Sequence, residues 1–316
     1  MVGLDDIQRA HAVLAGRIHR TPVFSSRMLG EATGTELHLK AECLQKTGSF
    51  KVRGVFNKIE ALSAAERARG LIAVSAGNHA QALAYGASVM GVKCTVVMPA
   101  KASPAKAEAS RGYGADVVLH GDVFAAFEKL DELRREHGFT LVHPFDDEAV
   151  IAGQGTVALE VIADLDDVDY VVVPVGGGGL ISGIATAVKA LRPHTKVIGV
   201  EPEGAAAVRR ALDEGHVVRL EQVATIADGL GAPMTGDIPL AHIRAHVDDV
   251  VLVSDDDLLA ALSLMLERTK LLVEAAGAAG VAALRSGALR VPKGSRVAVI
   301  ASGGNIDLQR LKEVLR

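Results

Sequence analysis

The sequence predicts an α/β fold built from two-domain, open, twisted and mostly parallel sheets. Several apolar runs are continuous rather than alternating, such as VVVPV at 171–175 and VAVIA at 297–301, which is typical of parallel strands covered on both faces. Helical patterns separate these runs at the spacing of an α/β sheet. We predict strands at Glu36–Glu42, Leu71–Ser75, Cys94–Met98, Asp116–His120, Tyr170–Val175, Lys196–Glu201, Val250–Val253 and Arg296–Ala301. We predict helices at the N-terminus, from near Ser49, and at His79–Met90, Phe124–His137, Gly179–Leu191, Asp255–Thr269 and Ile306–Leu315.

The composition favours a globular protein that does not bind nucleic acid. A chain of 316 residues suffices for about two domains, and 49% hydrophobic residues provide a sizeable core. The net charge is −4 and only 3% of residues are aromatic, so a basic face with stacking rings is missing. Cys43 and Cys94 lie in apolar stretches, and we expect reduced core thiols rather than a disulfide or a metal pair.

The N-terminal segment favours a cytoplasmic protein. Its sequence, MVGLDDIQRAHAVLAGRI, predicts an amphipathic helix with Asp5 and Asp6 near the start. It lacks the basic and apolar regions of a signal peptide. No apolar run of the chain reaches the length of a membrane span. We therefore expect a cytoplasmic location and no membrane partner.

Three predicted strands run directly into a glycine-containing turn and then a helix, at 71–86, 171–188 and 297–315. In α/β sheets, ligands bind at the carboxyl ends of the strands, where such loops gather. Each loop presents backbone N–H groups at a helix N-terminus, which suits an anion. A cofactor phosphate together with a substrate carboxylate would fit these loops.

Four consecutive glycines, Gly176–Gly179, form the most distinctive of these turns. Each glycine in regular structure costs roughly 0.5–1 kcal/mol, so a plain structural turn does not need all four. We interpret the turn as a phosphate cup, and the alternative is a tight, closely packed strand–helix connection. No Gly-Lys-Ser/Thr follows, as a Walker loop requires, and the GxGxxG spacing of a dinucleotide site is missing.

Lys51 lies in the stretch QKTGSFKVRG, at the start of a predicted helix. A cation in the first turn opposes the helix dipole by ~0.3–1 kcal/mol. A neutral amine or an imine removes the conflict, and a neutral lysine amine is a nucleophile for carbonyls. Taken alone, the position favours a solvated lysine over a reactive one.

The motifs QKTGSFKVRG, SAGNHAQALA, GQGTVALEV, VGGGGLISG and SGGN stand in this order over most of the chain. This set resembles the fold-type II pyridoxal-phosphate (PLP) enzymes, and within them the threonine dehydratase and serine racemase/dehydratase branch. The resemblance runs from about Thr21 to Asp307. It implies a tryptophan synthase β-like architecture in which residues 1–51 and 146–316 form a large PLP-binding domain and residues 52–145 a small mobile domain. It also implies a homodimer or homotetramer.

The resemblance further implies a role for each matched residue. Lys51 matches the Schiff-base lysine and the base that acts at Cα. The other matches are Phe50 beside the cofactor ring; Asn78 at the 3′ oxygen; Gly176, Gly177, Gly178, Gly179 and Leu180 around the phosphate; Ser302 at the pyridine nitrogen; and Ser75, Ala76, Gly77, Asn78 and His79 around the substrate carboxylate.

The activity that the resemblance implies is α,β-elimination of L-threonine or L-serine to 2-oxobutyrate or pyruvate and ammonia. A serine at position 302 would leave the pyridine nitrogen largely unprotonated, and this shallower electron sink favours elimination over a long-lived carbanion. A serine racemase, a 3-hydroxyaspartate dehydratase and a PLP-binding protein without turnover are the alternatives. A hydroxyaspartate dehydratase would need a cation for the second carboxylate, and no motif points to one.

Two positions depart from the racemase pattern. Ala76 stands where the racemase branch has a serine that acts on the second face of the substrate, and a methyl group cannot carry a proton. This favours a dehydratase. Glu201 matches the first ligand of the branch's divalent-cation site, but Ala207 replaces a carboxylate ligand. The sequence therefore leaves open whether Mg²⁺, a monovalent cation or no ion binds at Glu201. Because the sequence ends soon after the SGGN helix, we expect no C-terminal regulatory domain and a catabolic or standalone role.

Overall fold

The computed structural model describes residues 1–314, with only the backbone described at positions 310, 313 and 314. The strands in this part of the chain are β1 (Val23–Ser25), β2 (Glu36–Lys40), β3 (Leu71–Val74), β4 (Cys94–Met98), β5 (Asp116–Leu119), β6 (Thr140–Leu141), β7 (Tyr170–Pro174), β8 (Lys196–Pro202), β9 (Asp249–Val253) and β10 (Arg296–Ile300). The helices are α1 (Leu4–Leu14), α2 (Arg27–Thr33), α3 (Lys51–Ala61), α4 (Ala64–Ala68), α5 (Asn78–Val89), α6 (Pro104–Gly112), α7 (Val123–His137), α8 (Glu148–Asp164), α9 (Gly179–Leu191), α10 (Ala207–Glu214), α11 (Asp237–His246), α12 (Asp255–Thr269), α13 (Ala275–Ser286) and α14 (Leu308–Val314).

Two sheets organise the fold. The larger has the strand order β1-β2-β10-β7-β8-β9, and the smaller has the order β5-β4-β3-β6. All neighbouring strands are parallel except β1, which pairs antiparallel with β2 at the edge. The central strands are buried on both faces, as their continuous apolar runs predict. The predicted α/β fold class is therefore confirmed.

The eight predicted strands all form, and most differ from the prediction by one residue at an end. The largest difference follows β2, which ends at Lys40 because Glu42–Leu44 and Lys46–Gly48 form two short 3₁₀ turns before α3. The seven predicted helices correspond to α1, α3, α5, α7, α9, α12 and α14, and residue 315 of the last prediction lies outside the described residues. The short edge strands β1 and β6 were not predicted.

Helix α8 was not predicted, although it lies at the centre of the molecule. Most of its residues are buried on every side, so it shows no amphipathic pattern. Its glycines let neighbouring helices approach closely. A Cβ at Gly153 would lie 2.6 Å from Gly54 Cα of α3, and a Cβ at Gly183 of α9 would lie 2.5 Å from Gly155 N. Helix α8 thereby holds both α3, which carries Lys51, and α9, which follows the glycine loop.

The smaller sheet falls entirely within residues 52–145, and the larger sheet falls outside that segment. This division agrees with the two domains expected from the resemblance, while their boundaries and relative movement stay predictions. Cys43 and Cys94 are both buried and free, as expected. Within residues 1–314, no helix combines the length and the apolar character needed to cross a bilayer.

Candidate active site

One cavity collects residues that follow strands of both sheets. The turn after β3 contributes Ser75–His79, the turn after β7 contributes the four glycines, and the turn after β10 contributes Ser302. The start of α3 contributes Lys51. Every predicted site residue except Glu201 lines this cavity: Phe50, Lys51, Ser75, Ala76, Gly77, Asn78, His79, Gly176, Gly177, Gly178, Gly179, Leu180 and Ser302.

The glycine loop has both steric and polar reasons for its composition. A Cβ at Gly177 would lie 2.2 Å from the Phe145 ring, and one at Gly179 would lie 2.9 Å from Phe145 Cα. Gly178 has a φ of +92°, which favours glycine. Close packing thus accounts for part of the pattern. Among the described residues, however, no protein acceptor pairs with the amides of Gly176, Gly177 or Gly178. These amides precede the N-terminus of α9, where an anion is stabilised.

Lys51 begins α3 with its amine turned into the cavity. Its Nζ donates to the Pro144 carbonyl oxygen at 2.9 Å and lies 5.2 Å from the centre of the Phe50 ring. Burial lowers the pKa of Lys51 to about 8, and the charge of Glu274 partly opposes this shift. The neutral amine, which a nucleophile or base requires, is therefore far more abundant near neutral pH than in a solvated lysine.

A buried ionic network anchors α3 two residues beyond Lys51. The guanidinium of Arg53 is fully buried and donates to both oxygens of Glu42 and both oxygens of Glu160. Lys40 Nζ donates to Glu160 at 2.6 Å, and the Thr21 hydroxyl donates to Glu42. Two cations thus balance two carboxylates inside the protein, as buried charges require.

Asn78 begins α5 and is fixed by two side chains from the larger sheet's side of the cavity. Its Nδ2 donates to Glu274 Oε1 at 2.6 Å, and its Oδ1 accepts from Asn305 Nδ2 at 2.8 Å. Sequence reasoning identified the SGGN motif that holds Asn305, but it missed Glu274. The available signal was a carboxylate immediately before the alanine- and glycine-rich helix α13.

The predicted substrate loop is built from small groups. The Ser75 hydroxyl accepts from the Gly77 amide at 3.2 Å, and Ala76 presents a methyl group beside it. The His79 ring is buried and its Nε2 lies 2.8 Å from the Val142 carbonyl oxygen. Burial, followed by the charge of Lys51, lowers the pKa of His79 to about 3, so the ring is neutral. The first amides of α5 remain as the groups that can meet a carboxylate.

Ser302 is tied to the segment that leads into Lys51. Its carbonyl oxygen accepts from the Phe50 amide at 3.2 Å, and Ser49 forms an isolated bridge with Gly303. Its hydroxyl has no hydrogen-bond partner among the described residues. The turn after β10 and the turn before α3 are therefore joined through their backbones.

Glu201 lies away from the cavity, and its side chain caps the start of α10. Both carboxylate oxygens accept backbone hydrogen bonds at the start of α10, from Val208 at 2.8 Å and Arg209 at 2.7 Å. Burial raises the pKa of Glu201 to about 7. Within the described part of the chain, no cluster of three or more His, Cys, Asp or Glu side chains could hold a metal ion. Ion binding at Glu201 stays a prediction, and the observed contacts do not support it.

Comparison with known proteins identifies the family. The family model described as "Pyridoxal-phosphate dependent enzyme" matches residues 14–303. The chain belongs to this family. L-threonine ammonia-lyase of Thermotoga maritima is 45% identical over 316 residues, which are 100% of this chain and 78% of that protein. The catabolic L-threonine dehydratase TdcB of Escherichia coli K12 is 42% identical over 99% of this chain and 96% of its own.

Solved structures of the family have the same fold. A threonine deaminase from T.th. superposes with a TM-score of 0.91 at 46% identity, covering 96% of this chain and 99% of its own. Maize serine racemase superposes with a TM-score of 0.94 at 36% identity, covering 99% of this chain and 97% of its own. The chain therefore has the fold-type II architecture that the motifs predict, and its cofactor is pyridoxal 5′-phosphate.

The cavity of this chain fits that cofactor. The unpartnered amides of Gly176–Gly178 suit a phosphate, and the partly neutral amine of Lys51 suits an aldehyde. The Ser302 hydroxyl and the Asn78 amide supply uncharged hydrogen-bonding groups on the same cavity. These groups come from separate turns that only the folded chain brings together.

Proposed function

We propose that this protein catalyses the α,β-elimination of L-threonine and L-serine, which releases 2-oxobutyrate or pyruvate together with ammonia. The observation that carries the proposal is the single cavity in which Lys51, the glycine loop and the Ser75–His79 turn meet. The L-threonine ammonia-lyase and dehydratase relatives support the reaction class, since they match almost the whole of this chain. We further propose that the enzyme is cytoplasmic and forms a homodimer or homotetramer.

The roles of the residues follow from their chemistry. When bound, PLP supplies an electron sink for the charge that develops at Cα of the substrate. Lys51 holds the cofactor and takes the Cα proton, because burial keeps part of its amine neutral. The amides at the start of α5 orient the substrate carboxylate, and the amides before α9 hold the cofactor phosphate. Phe50 packs beside the Lys51 amine.

Ala76 favours elimination over racemisation. Racemisation needs a second proton-carrying group on the face opposite Lys51. Ala76 supplies a methyl group, and the neighbouring Ser75 hydroxyl oxygen accepts from the Gly77 amide, which turns that side chain toward the backbone of its own loop. The similarity to maize serine racemase therefore concerns the fold and most of the cavity, while this loop supports a lyase.

A 3-hydroxyaspartate dehydratase is the second candidate, because Lys106 lines the cavity. No sequence motif predicted a cation in this cavity, but the folded chain places the Lys106 amine of α6 there. Lys106 Nζ already pairs with Asp228 at 3.0 Å, so a second substrate carboxylate would have to compete for it. L-Threonine and L-serine have no second carboxylate, so they do not compete with Asp228 for Lys106.

A coupled assay tests the proposal. Purified holoenzyme is incubated with L-threonine, L-serine, D-serine or 3-hydroxyaspartate, with and without Mg²⁺ or K⁺, and 2-oxo acid is measured. We expect 2-oxobutyrate and pyruvate from the L-amino acids and about 10³-fold or greater loss for Lys51→Ala, which lacks the base. Cofactor absorption without 2-oxo acid from threonine or serine would overturn the proposed activity. If 2-oxo acid release depended on Mg²⁺, this would support ion binding at Glu201. The Mg²⁺ dependence of Glu201→Gln would then be compared with that of wild type.

A further inference from the structure

The Glu274 carboxylate controls which way the Asn78 side chain faces. The ionised carboxylate of Glu274 only accepts hydrogen bonds, and in this form it accepts from Asn78 Nδ2, which lies 2.6 Å from Glu274 Oε1. On its other side, Asn305 Nδ2 donates both to Asn78 Oδ1 at 2.8 Å and to the Thr47 carbonyl oxygen at 2.7 Å. The Asn78 carboxamide is therefore held in one orientation, with one hydrogen of Nδ2 left over.

The surrounding backbone leaves room for this carboxylate. A Cβ at Gly303 would lie 2.4 Å from Glu274 Oε1, and one at Gly229 would lie 3.4 Å from it. The Glu274 amide also donates to the Gly303 carbonyl oxygen at 3.0 Å. The backbone of the SGGN turn thus fixes the Glu274 backbone. The Glu274 side chain fits against this turn because Gly303 has no Cβ.

The charged and titratable groups that face Glu274 are Lys51, Lys106, Asp228 and the Cys43 thiol. Lys106 is paired with Asp228. Lys51, in contrast, has no ion pair within the described residues, and Glu274 is the carboxylate whose charge acts on it. Burial raises the pKa of Glu274 to about 7, and the hydrogen bond from Asn78 opposes that shift. The carboxylate therefore changes charge near neutral pH.

We propose that Glu274 is a positioning residue for the cofactor: it aims the remaining Nδ2 hydrogen of Asn78 at the 3′ oxygen, and its charge stabilises positive charge on the cofactor and Lys51. The proposal rests on the part of the proposed function that places PLP in this cavity, and it does not depend on which amino acid is the substrate. Asn78 touches the cofactor, and Glu274 acts through it.

A double-mutant cycle tests this relationship. Holoenzymes of wild type, Asn78→Ala, Glu274→Ala and the double variant are prepared at saturating PLP. The absorption maximum of the bound cofactor and kcat/KM for 2-oxo acid release are then measured. A hydrogen bond to a charged group corresponds to about a 10- to 100-fold loss in kcat/KM for Glu274→Ala. We expect Glu274→Ala to shift the absorption maximum in the same direction as Asn78→Ala, and the double variant to lose no more than Asn78→Ala alone.

Glu274→Gln separates orientation from charge. Its amide oxygen can still accept from Asn78, so we expect the absorption maximum to stay near that of wild type. A negative charge favours the protonated state of a neighbouring cation, so its removal should move the pH midpoint of the cofactor absorption change to lower pH. The exposed Glu267→Gln on α12 is the matched control and should change neither quantity.

Two outcomes would overturn the proposal. One is an additive loss in the double variant, which would mean that the two residues act independently. The other is an unchanged absorption maximum in Glu274→Ala together with an unchanged pH midpoint in Glu274→Gln. Thermal melting of each holoenzyme shows whether a variant is folded. If wild type released no 2-oxo acid, the proposed activity would fail, while the spectral measurements would still decide the role of Glu274.

Discussion

Burial changes the chemistry of the two basic side chains that begin α3 and α5. Lys51 loses the water that would stabilise its charge, and its pKa falls to about 8. The His79 ring is also removed from water by burial, and the nearby charge of Lys51 further disfavours its protonated form. The pKa of His79 therefore falls to about 3. The same physical cause thus makes Lys51 a reactive amine and makes His79 a neutral group that holds the loop against Val142.

The pH dependence of cofactor uptake tests the state of Lys51. Only the neutral amine attacks an aldehyde, and the neutral fraction rises about tenfold per pH unit below the pKa. We therefore expect the rate at which apoprotein takes up PLP to rise from pH 6 and to level off near the folded-state pKa of about 8. Stopped-flow absorbance measures this rate. A rate still rising between pH 9 and 10 would show that the amine is solvated and that burial does not lower its pKa.

A single substitution should move the enzyme toward racemisation. Ala76→Ser places a hydroxyl on the turn after β3, where a second proton-carrying group is missing. We expect more D-serine per pyruvate from L-serine, measured by chiral chromatography. Ala232→Ser adds a hydroxyl elsewhere on the same cavity and serves as the control. Equal ratios in the two variants would mean that the position of the hydroxyl does not matter, contrary to the interpretation of Ala76.

Sequence patterns predicted the cavity-lining residues that stand within local motifs, and they missed those that do not. The glycine loop and Lys51 were recognisable because strand, turn and helix signals adjoin them. Phe145 and Pro144 come from a connection with no motif, yet they contact Gly177 and Lys51. Glu274 interacts with Asn78 across 196 positions of sequence, and no spacing rule covers such a pair. Glu201 was the opposite case, a motif match whose contacts turn out to be backbone amides.

At the scale of elements, the site depends on helix α8, which the sequence pattern did not predict. The amphipathic pattern that reveals a surface helix is absent from α8, because other helices cover it on every side. Its glycines place α3 and α9 at backbone contact distance. Strands were predicted more accurately than helices because the parallel strands here are short, buried and apolar throughout.

Arg53 should be the most sensitive anchor of α3. Its removal leaves the buried carboxylates of Glu42 and Glu160 short of one cation. We expect Arg53→Met to lower the free energy of unfolding by about 3–5 kcal/mol, as measured by urea denaturation of the apoprotein. Arg9→Met breaks an exposed pair with Asp6 and should cost no more than ~1 kcal/mol. Equal costs would show that the buried network does not stabilise α3.

At the scale of the whole molecule, several polar contacts join the segment 52–145 to the rest of the chain around the cavity. Lys106 of α6 pairs with Asp228, and the Ser103 hydroxyl donates to Asp307 at 3.2 Å. The Asn78–Glu274 hydrogen bond joins the same two parts. Helix α3 of this segment packs closely on α8, but the contacts around the cavity are polar, as we expect of two bodies that separate to admit substrate and close to exclude water.

The ion pair between Lys106 and Asp228 should favour the closed arrangement. Asp228 is 77% exposed, so the pair contributes no more than ~1 kcal/mol, or about a fivefold effect on an equilibrium. We propose that substrate binds productively in the closed arrangement, and we therefore expect Lys106→Met to raise KM for L-threonine by up to about fivefold and to leave kcat nearly unchanged. The effect should shrink at high salt, which screens the wild-type pair.

Lys129→Met is the matched control for this prediction. Lys129 is about as exposed as Lys106 and pairs with Glu132, but both residues lie on α7, so the pair does not join the two parts of the molecule. Steady-state kinetics at low and high salt compare the variants. An equal rise of KM in Lys106→Met and Lys129→Met would mean that the effect comes from the loss of surface charge in general and not from the Lys106–Asp228 pair. A KM that rises only in Lys106→Met, and only at low salt, would tie substrate binding to the contact between the two sheets' segments.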